Sequence, residues 1–244
     1  MKRLLVVGGA NGIGLSIATE VAKSNECERV YIIDKATISP KYVHPKFHYF
    51  QFDLSNNDYS IFDKFNDIDS LMITAGFGKM ALFKDIPESY IVNSFTVNSI
   101  APIRIIHHFI DKLHSNKDFL CGIMVSISGF MSSPFFAVYG ATKASLKIFI
   151  ESVNVELEKS GTTNKILNVS AGSFKGSSFN GEATDLDKLR PISNEIIKNL
   201  REKNDLLIFQ YEEIFKNVLE RYHVDFREEG RHSYEYKKNS GRIK

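Results

Sequence analysis

Residues 4–14 read Leu4-Leu5-Val6-Val7-Gly8-Gly9-Ala10-Asn11-Gly12-Ile13-Gly14, and this stretch sets the expected fold. Four consecutive apolar residues fit a strand covered on both faces, as in a parallel sheet. The glycines let the backbone come close to a phosphate group. An amphipathic helix, predicted to run from the turn to about Ser24, would aim its free N–H groups and positive end at the same place. Strand, glycine turn and helix in that order give the motif its meaning. A second apolar run over 29–33 ends in Asp34, 20 residues after Gly14. A carboxylate at that distance suits the 2′-hydroxyl of a ribose and repels a 2′-phosphate, so NAD is expected over NADP, with Lys35 acting against that preference.

Strand and helix patterns alternate further along. The 41–52 segment mixes His44, Lys46 and His48 with aromatics, as nucleic-acid platforms do, but alternation over 47–52 reads as a third strand. Pro45 excludes a helical metal pair from His44 and His48. Asp53-Leu54 would then stand at a strand end beside an adenine. A fourth strand over 69–74 leads into Ala75-Gly76, small enough for close approach of a flat ligand. Helix is predicted over 90–114, carrying Asn98 inside it, where asparagine is mildly unfavourable. His107 and His114 are read as packing or solvated residues. A buried strand over 122–125 ends at Ser126.

After Pro134 a helix is predicted to about Lys159, with Tyr139 and Lys143 one turn apart on one face. A tyrosine of ordinary pKa, ~10, is a poor proton carrier at neutral pH, and a neighbouring cation lowers that value. A sixth strand, 165–169, ends in Ser170-Ala171-Gly172. The polar stretch 173–208, with Gly176 and Gly181 early and a helix near 193–201, is expected to cap a site. A last amphipathic helix is predicted over 210–222 and a short edge strand over 232–236. Ser126, Gly172, Gly76, Asp34 and the glycine turn all fall at strand ends. That is where a doubly wound parallel α/β sheet, here a single domain, binds ligands.

Composition narrows the class of function. A net charge of +2 recruits neither nucleic acid nor an anionic membrane. The basic end, with Lys237, Lys238, Arg242 and Lys244, reads as a solvated tail. Cys27 and Cys121 are too far apart in sequence for a Cys-x-x-Cys, so neither zinc nor a disulfide framework is indicated, and a reducing cytoplasm is expected. Gly8 and Gly9 cut the first apolar run short of a signal peptide. No run approaches the ~20 apolar residues needed to span a bilayer.

With these residues in view, the chain resembles the compact short-chain dehydrogenases/reductases over its whole length. The family's Thr-Gly-x-x-x-Gly-x-Gly falls on residues 7–14, with Val7 in place of threonine. Its catalytic tetrad falls on Asn98, Ser126, Tyr139 and Lys143; Ser126 is preferred to Ser128 because it stands thirteen residues before Tyr139. The resemblance implies an NAD(H)-dependent oxidoreductase interconverting a secondary alcohol and a ketone. Tyr139 would exchange the proton, Ser126 would bind the substrate oxygen, Lys143 would hold the nicotinamide ribose and, aided by the positive nicotinamide of the oxidised cofactor, lower the Tyr139 pKa, and Asn98 would hold a relay water. It places the cofactor against Gly8, Asn11, Gly12, Ile13, Gly14, Asp34, Asp53, Leu54, Ala75, Gly76, Tyr139, Lys143, Gly172 and Phe174, with no metal. It also implies a homodimer or homotetramer packed through 90–114 and 140–159, where Phe149 and Ile150 add apolar weight, although an internal core explains those two equally well. Besides Val7, the chain departs from the pattern at Ile73-Thr74 in the Asn-Asn-Ala-Gly motif, at Ala171 where proline is usual, and at Gly176 where threonine is expected. The helices between Asp34 and Asp69 are trimmed, and the usual glycine-rich ending is absent. The departures motivate an alternative of another class, a dinucleotide-binding regulatory or assembly protein with little turnover.

Overall fold

The computed structural model describes residues 1–177, 179 and 182–240. Gly181 of the expected capping segment, and Arg242 and Lys244 of the basic end, lie outside the described residues.

The order is β1 (Arg3–Val7), α1 (Gly12–Ala22), β2 (Arg29–Asp34), β3 (Phe47–Gln51), β4 (Ser70–Ile73), α2 (Glu88–Phe95), α3 (Ala101–His108), α4 (Ile110–His114), β5 (Leu120–Met124), α5 (Ala137–Lys159), β6 (Ile166–Ser170), α6 (Leu186–Arg201), β7 (Leu206–Ile208), α7 (Lys216–Val224) and α8 (Phe226–Asn239). The strands form one sheet in the order β3-β2-β1-β4-β5-β6-β7, every pair parallel. Alternation explains why β1 must be apolar throughout: Leu5 and Val7 face one core with α3 and α5, while Leu4 and Val6 face the other with α1 and α6. Strand order reverses between β1 and β4, and the crevice outside their carboxyl ends is the expected ligand site of such a sheet.

Between β2 and β4 only 3₁₀ turns, Pro40–Tyr42 and Ser60–Phe65, replace helices, in line with the trimmed sequence there. Cys27 and Cys121 are both free and buried. No helix among the described residues is long and apolar enough to cross a membrane.

Two expectations need correction. The strand expected at 232–236 is part of α8. Asp225 caps that helix by accepting from the Arg227 and Glu228 amides, and Tyr234 packs its ring on Phe135; cap and tertiary contact decide the region. Residues 206–208 form an edge strand on β6 instead of ending a loop. Of the two readings open for Phe149 and Ile150, the internal core fits: Ile150 is buried there and the half-buried Phe149 packs against it.

Candidate active site

The glycine turn is built for close approach. Gly8 holds φ 90°, and a Cβ there would fall 2.4 Å from the Ala75 nitrogen; at Gly14 it would fall 2.3 Å from the Gly8 oxygen. The turn is braced from both neighbouring strands. The Asp34 carboxylate accepts from the Ala10 amide (3.0 Å) and the Ala36 amide (3.0 Å), and the Thr74 hydroxyl donates to the Gly8 carbonyl (2.9 Å). Thr74, a departure in sequence, thus ties β4 to the turn. Beside it lies a cleft of about 210 Å³ lined by Gly8, Asn11, Asp34, Asp53, Leu54, Ala75 and Gly76, among others. The amide and hydroxyl of Ser55 hold the Asp53 carboxyl below its usual range.

None of the four chemistry-bearing side chains lines this cleft, but Asn98 and Lys143 stand behind its lining residue Gly76, and Tyr139 and Ser126 lie beside Lys143. Residues 96–100 form a π-helical turn between α2 and α3, a feature common at functional sites. It turns Asn98 fully inward. The Asn98 amide accepts from the Phe77 N–H (3.0 Å) and donates to the Phe77 carbonyl (2.8 Å) and the Thr142 hydroxyl (3.2 Å). Lys143, 3% exposed, donates its Nζ to the Met124 carbonyl at 2.8 Å. A Cβ on Gly76 would lie 3.3 Å from both Asn98 Oδ1 and Lys143 Nζ, so those two groups flank one small residue. Ser126, at the end of β5, accepts from the Ser128 amide (3.2 Å) and donates to the Ala171 carbonyl (3.3 Å).

The electrostatics follow from burial. The Tyr139 phenol is pushed up to about 12 by desolvation, with a hydrogen bond from Ser126 pulling the other way. Lys143 is drawn down to about 8, also by desolvation. Its Nζ sits 5.8 Å from the Tyr139 ring centre. In the chain by itself, removing a phenolate from water dominates, and the lowering expected with a charged cofactor in place is a matter for the bound state. Tyr139 is walled by Phe136 (rings 5.4 Å apart) and Phe179 (5.3 Å).

Not every expected residue joins the cleft. Gly172 faces the Phe215 ring, and Phe174 stands edge-on to Phe209 at 5.1 Å. The sequence reading missed Thr184. Its hydroxyl accepts from the Gly12 amide (2.9 Å) at the start of α1, and Tyr42 donates to its carbonyl (2.7 Å). The partners are 172 residues apart, and no local pattern marks either.

The resident group of such a cleft is tested by its shape. Two glycines whose side-chain positions are filled by backbone, a carboxylate at the β2 end and a helix start together fit a dinucleotide.

Known proteins agree on the fold. The family model for short chain dehydrogenases matches residues 2–186. A short-chain dehydrogenase from Streptomyces avermitilis is similar at 17% identity and TM-score 0.76, over 98% of this chain and 100% of that one. A short-chain dehydrogenase/reductase from Burkholderia phymatum, solved with NAD, is similar at 14% identity and TM-score 0.79, over 93% and 94%. An alcohol dehydrogenase from the archaeon Thermococcus sibiricus, solved with 5-hydroxy-NADP, is similar at 18% identity and TM-score 0.71, over 86% and 96%. No curated protein matches the chain. The family model covers well over half of the sequence, and this chain belongs to the short-chain dehydrogenase/reductase family.

Proposed function

We propose that the protein is an NAD(H)-dependent oxidoreductase that interconverts a secondary alcohol and a ketone. The observation that carries the reading is the grouping of Asn98, Ser126, Tyr139 and Lys143 behind the glycine-lined cleft. When bound, the nicotinamide supplies a hydride to the carbonyl carbon or takes one from the carbinol carbon. In reduction the Tyr139 phenol, protonated at neutral pH, gives its proton to the substrate oxygen, which the Ser126 hydroxyl holds. In oxidation Tyr139 takes that proton back. Lys143 keeps two N–H groups beyond its bond to Met124 and would offer them to ribose hydroxyls. Asn98 fixes the Phe77 backbone beside Gly76.

Asp34 supports NAD over NADP, since its carboxylate lines the cleft and repels a 2′-phosphate. Similar structures carry either cofactor, so fluorescence titration with NADH and NADPH side by side is the deciding measurement. Binding of NADH at micromolar concentrations, with reduction across a ketone panel lost in Tyr139→Phe, is the expected result. Absent binding, or full turnover by the phenylalanine variant, overturns the reading; tight binding without turnover would instead favour a regulatory role. We place the enzyme in the cytoplasm, consistent with two buried free thiols. A homodimer or homotetramer would bury the exposed Val92 and Ile100 near α2, and Ile148 and Val155 on α5.

A further inference from the structure

Residues 130–136 join the turn after Ser126 to α5, and they carry Phe136, which packs on Tyr139. Within this loop Phe135 adopts φ 66°, a left-handed conformation that a bulky side chain holds only where its surroundings impose it. Two sides of the loop supply that constraint. On one, the Ala81 amide donates to the Phe135 carbonyl at 3.0 Å. On the other lies α8. The Tyr234 ring is 4.6 Å from the Phe135 ring, and Lys237 Nζ donates to Ser133 Oγ (2.6 Å) and to the Pro134 carbonyl (3.0 Å) while standing 5.5 Å from the Phe136 ring. Gly230 faces the Ser132 hydroxyl. Helix α8 is itself fixed to α7 by Arg221, whose guanidinium donates twice to the buried Glu229 carboxylate (2.7 and 3.3 Å).

We propose that α8 is a strut for the substrate side of the site, with Tyr234 and Lys237 as positioning residues that hold the loop 132–136 and through it the wall beside Tyr139. The dinucleotide cleft is not lined by α8; its lining lies at the ends of β1 to β4 and at Val97. The strut therefore acts on the second substrate and leaves cofactor affinity alone. The inference rests on the oxidoreductase reading only in naming that second substrate a ketone or alcohol.

The test uses the full chain and three variants, Lys237→Met, Lys237→Arg and Tyr234→Ala. Amide hydrogen exchange is followed in peptides covering 78–84 and 130–138, with β1 and β5 as internal reference. NADH affinity and ketone kinetics are measured alongside. In Lys237→Met and Tyr234→Ala, exchange at Ala81 and through the loop should quicken by about tenfold or more while the reference strands stay protected. Ketone KM should rise about fivefold or more, with a smaller fall in kcat and no change in NADH affinity, and Lys237→Arg should recover much of the loss. Unchanged loop exchange in both variants overturns the strut. A loosened loop with unchanged KM overturns the positioning role. If Tyr234→Ala loses protection everywhere, the milder Lys237→Met decides. The exchange arm needs no turnover, so a wild type that reduces no ketone sinks the oxidoreductase reading without deciding the strut.

Discussion

Replacing Lys143 with methionine should make the protein more stable while removing its activity. The ammonium is 3% exposed, and desolvation lowers its pKa from an ordinary 10.5 to about 8. At ~1.4 kcal/mol for each pH unit between those values, carrying the charge inside costs roughly 3 kcal/mol. The Met124 carbonyl loses its donor in the variant, which returns ~1 kcal/mol. A net gain of about 2 kcal/mol corresponds to a Tm higher by ~4–8 °C for a chain of this size. The sign with pH follows from the same values. Below pH 8 lysine is charged in both states and the full cost is present. Between pH 8 and 10.5 the folded protein releases its proton first, stability recovers, and above 10.5 the cost is gone. Denaturant unfolding of both proteins from pH 7 to 10.5 should show a gap that is widest at the low end, narrows above pH 8 and is slightly reversed at the high end, where only the lost bond to Met124 counts. A variant no more stable at pH 7, or a gap that stays constant, refutes the claim that this lysine is held against its solvation.

The Tyr139 phenol, at about 12, stays protonated through neutral pH, so ketone reduction should be flat from pH 6 to 8. Alcohol oxidation over that range should rise by up to about tenfold per pH unit, because it draws on the phenolate; kcat/KM profiles in both directions check this, and an oxidation rate that falls with pH contradicts it. In Gly14→Ala the new methyl meets the Gly8 oxygen at 2.3 Å and Thr74 Oγ1 at 2.4 Å. Overpacking of that kind costs ~1–3 kcal/mol and should spread the turn, lowering NADH affinity by about tenfold or more. Wild-type melting and NADH titration in that variant would show that the turn yields without harm.

Much of the framework could be read from local patterns. Continuous apolar runs gave β1, β2, β4, β5 and β6, because strands covered on both faces need them. The spacing from Ser126 to Tyr139 and from Tyr139 to Lys143 located side chains that lie near one another in the fold, Tyr139 beside Ser126 and its ring 5.8 Å from Lys143 Nζ. What escaped was set by contacts between distant segments. Thr184 meets Gly12, and Tyr234 meets Phe135, through partners that no sequence window contains. The edge strand expected at 232–236 is helix because a cap at Asp225 and a tertiary ring contact decide that region. The depth of Tyr139 escaped for another reason: proximity to a cation is visible in the spacing, but burial is not, and burial raises the phenol of the chain by itself.

The strand order also governs how the chain assembles. Strands β1 to β3 build away from the centre in one direction, and β4 to β7 add in the other, with Leu4 of β1 pairing to Ser70 of β4. A nascent chain shorter than β4 therefore holds β1 with one naked edge and two oily faces, a template for sticking to its neighbours. With no hairpin to nucleate early, refolding should be slow, in the millisecond-to-second range or beyond. Substitutions that delay the docking of β4, at Thr74 above all, would then show first as lost yield on expression and only second as lost catalysis.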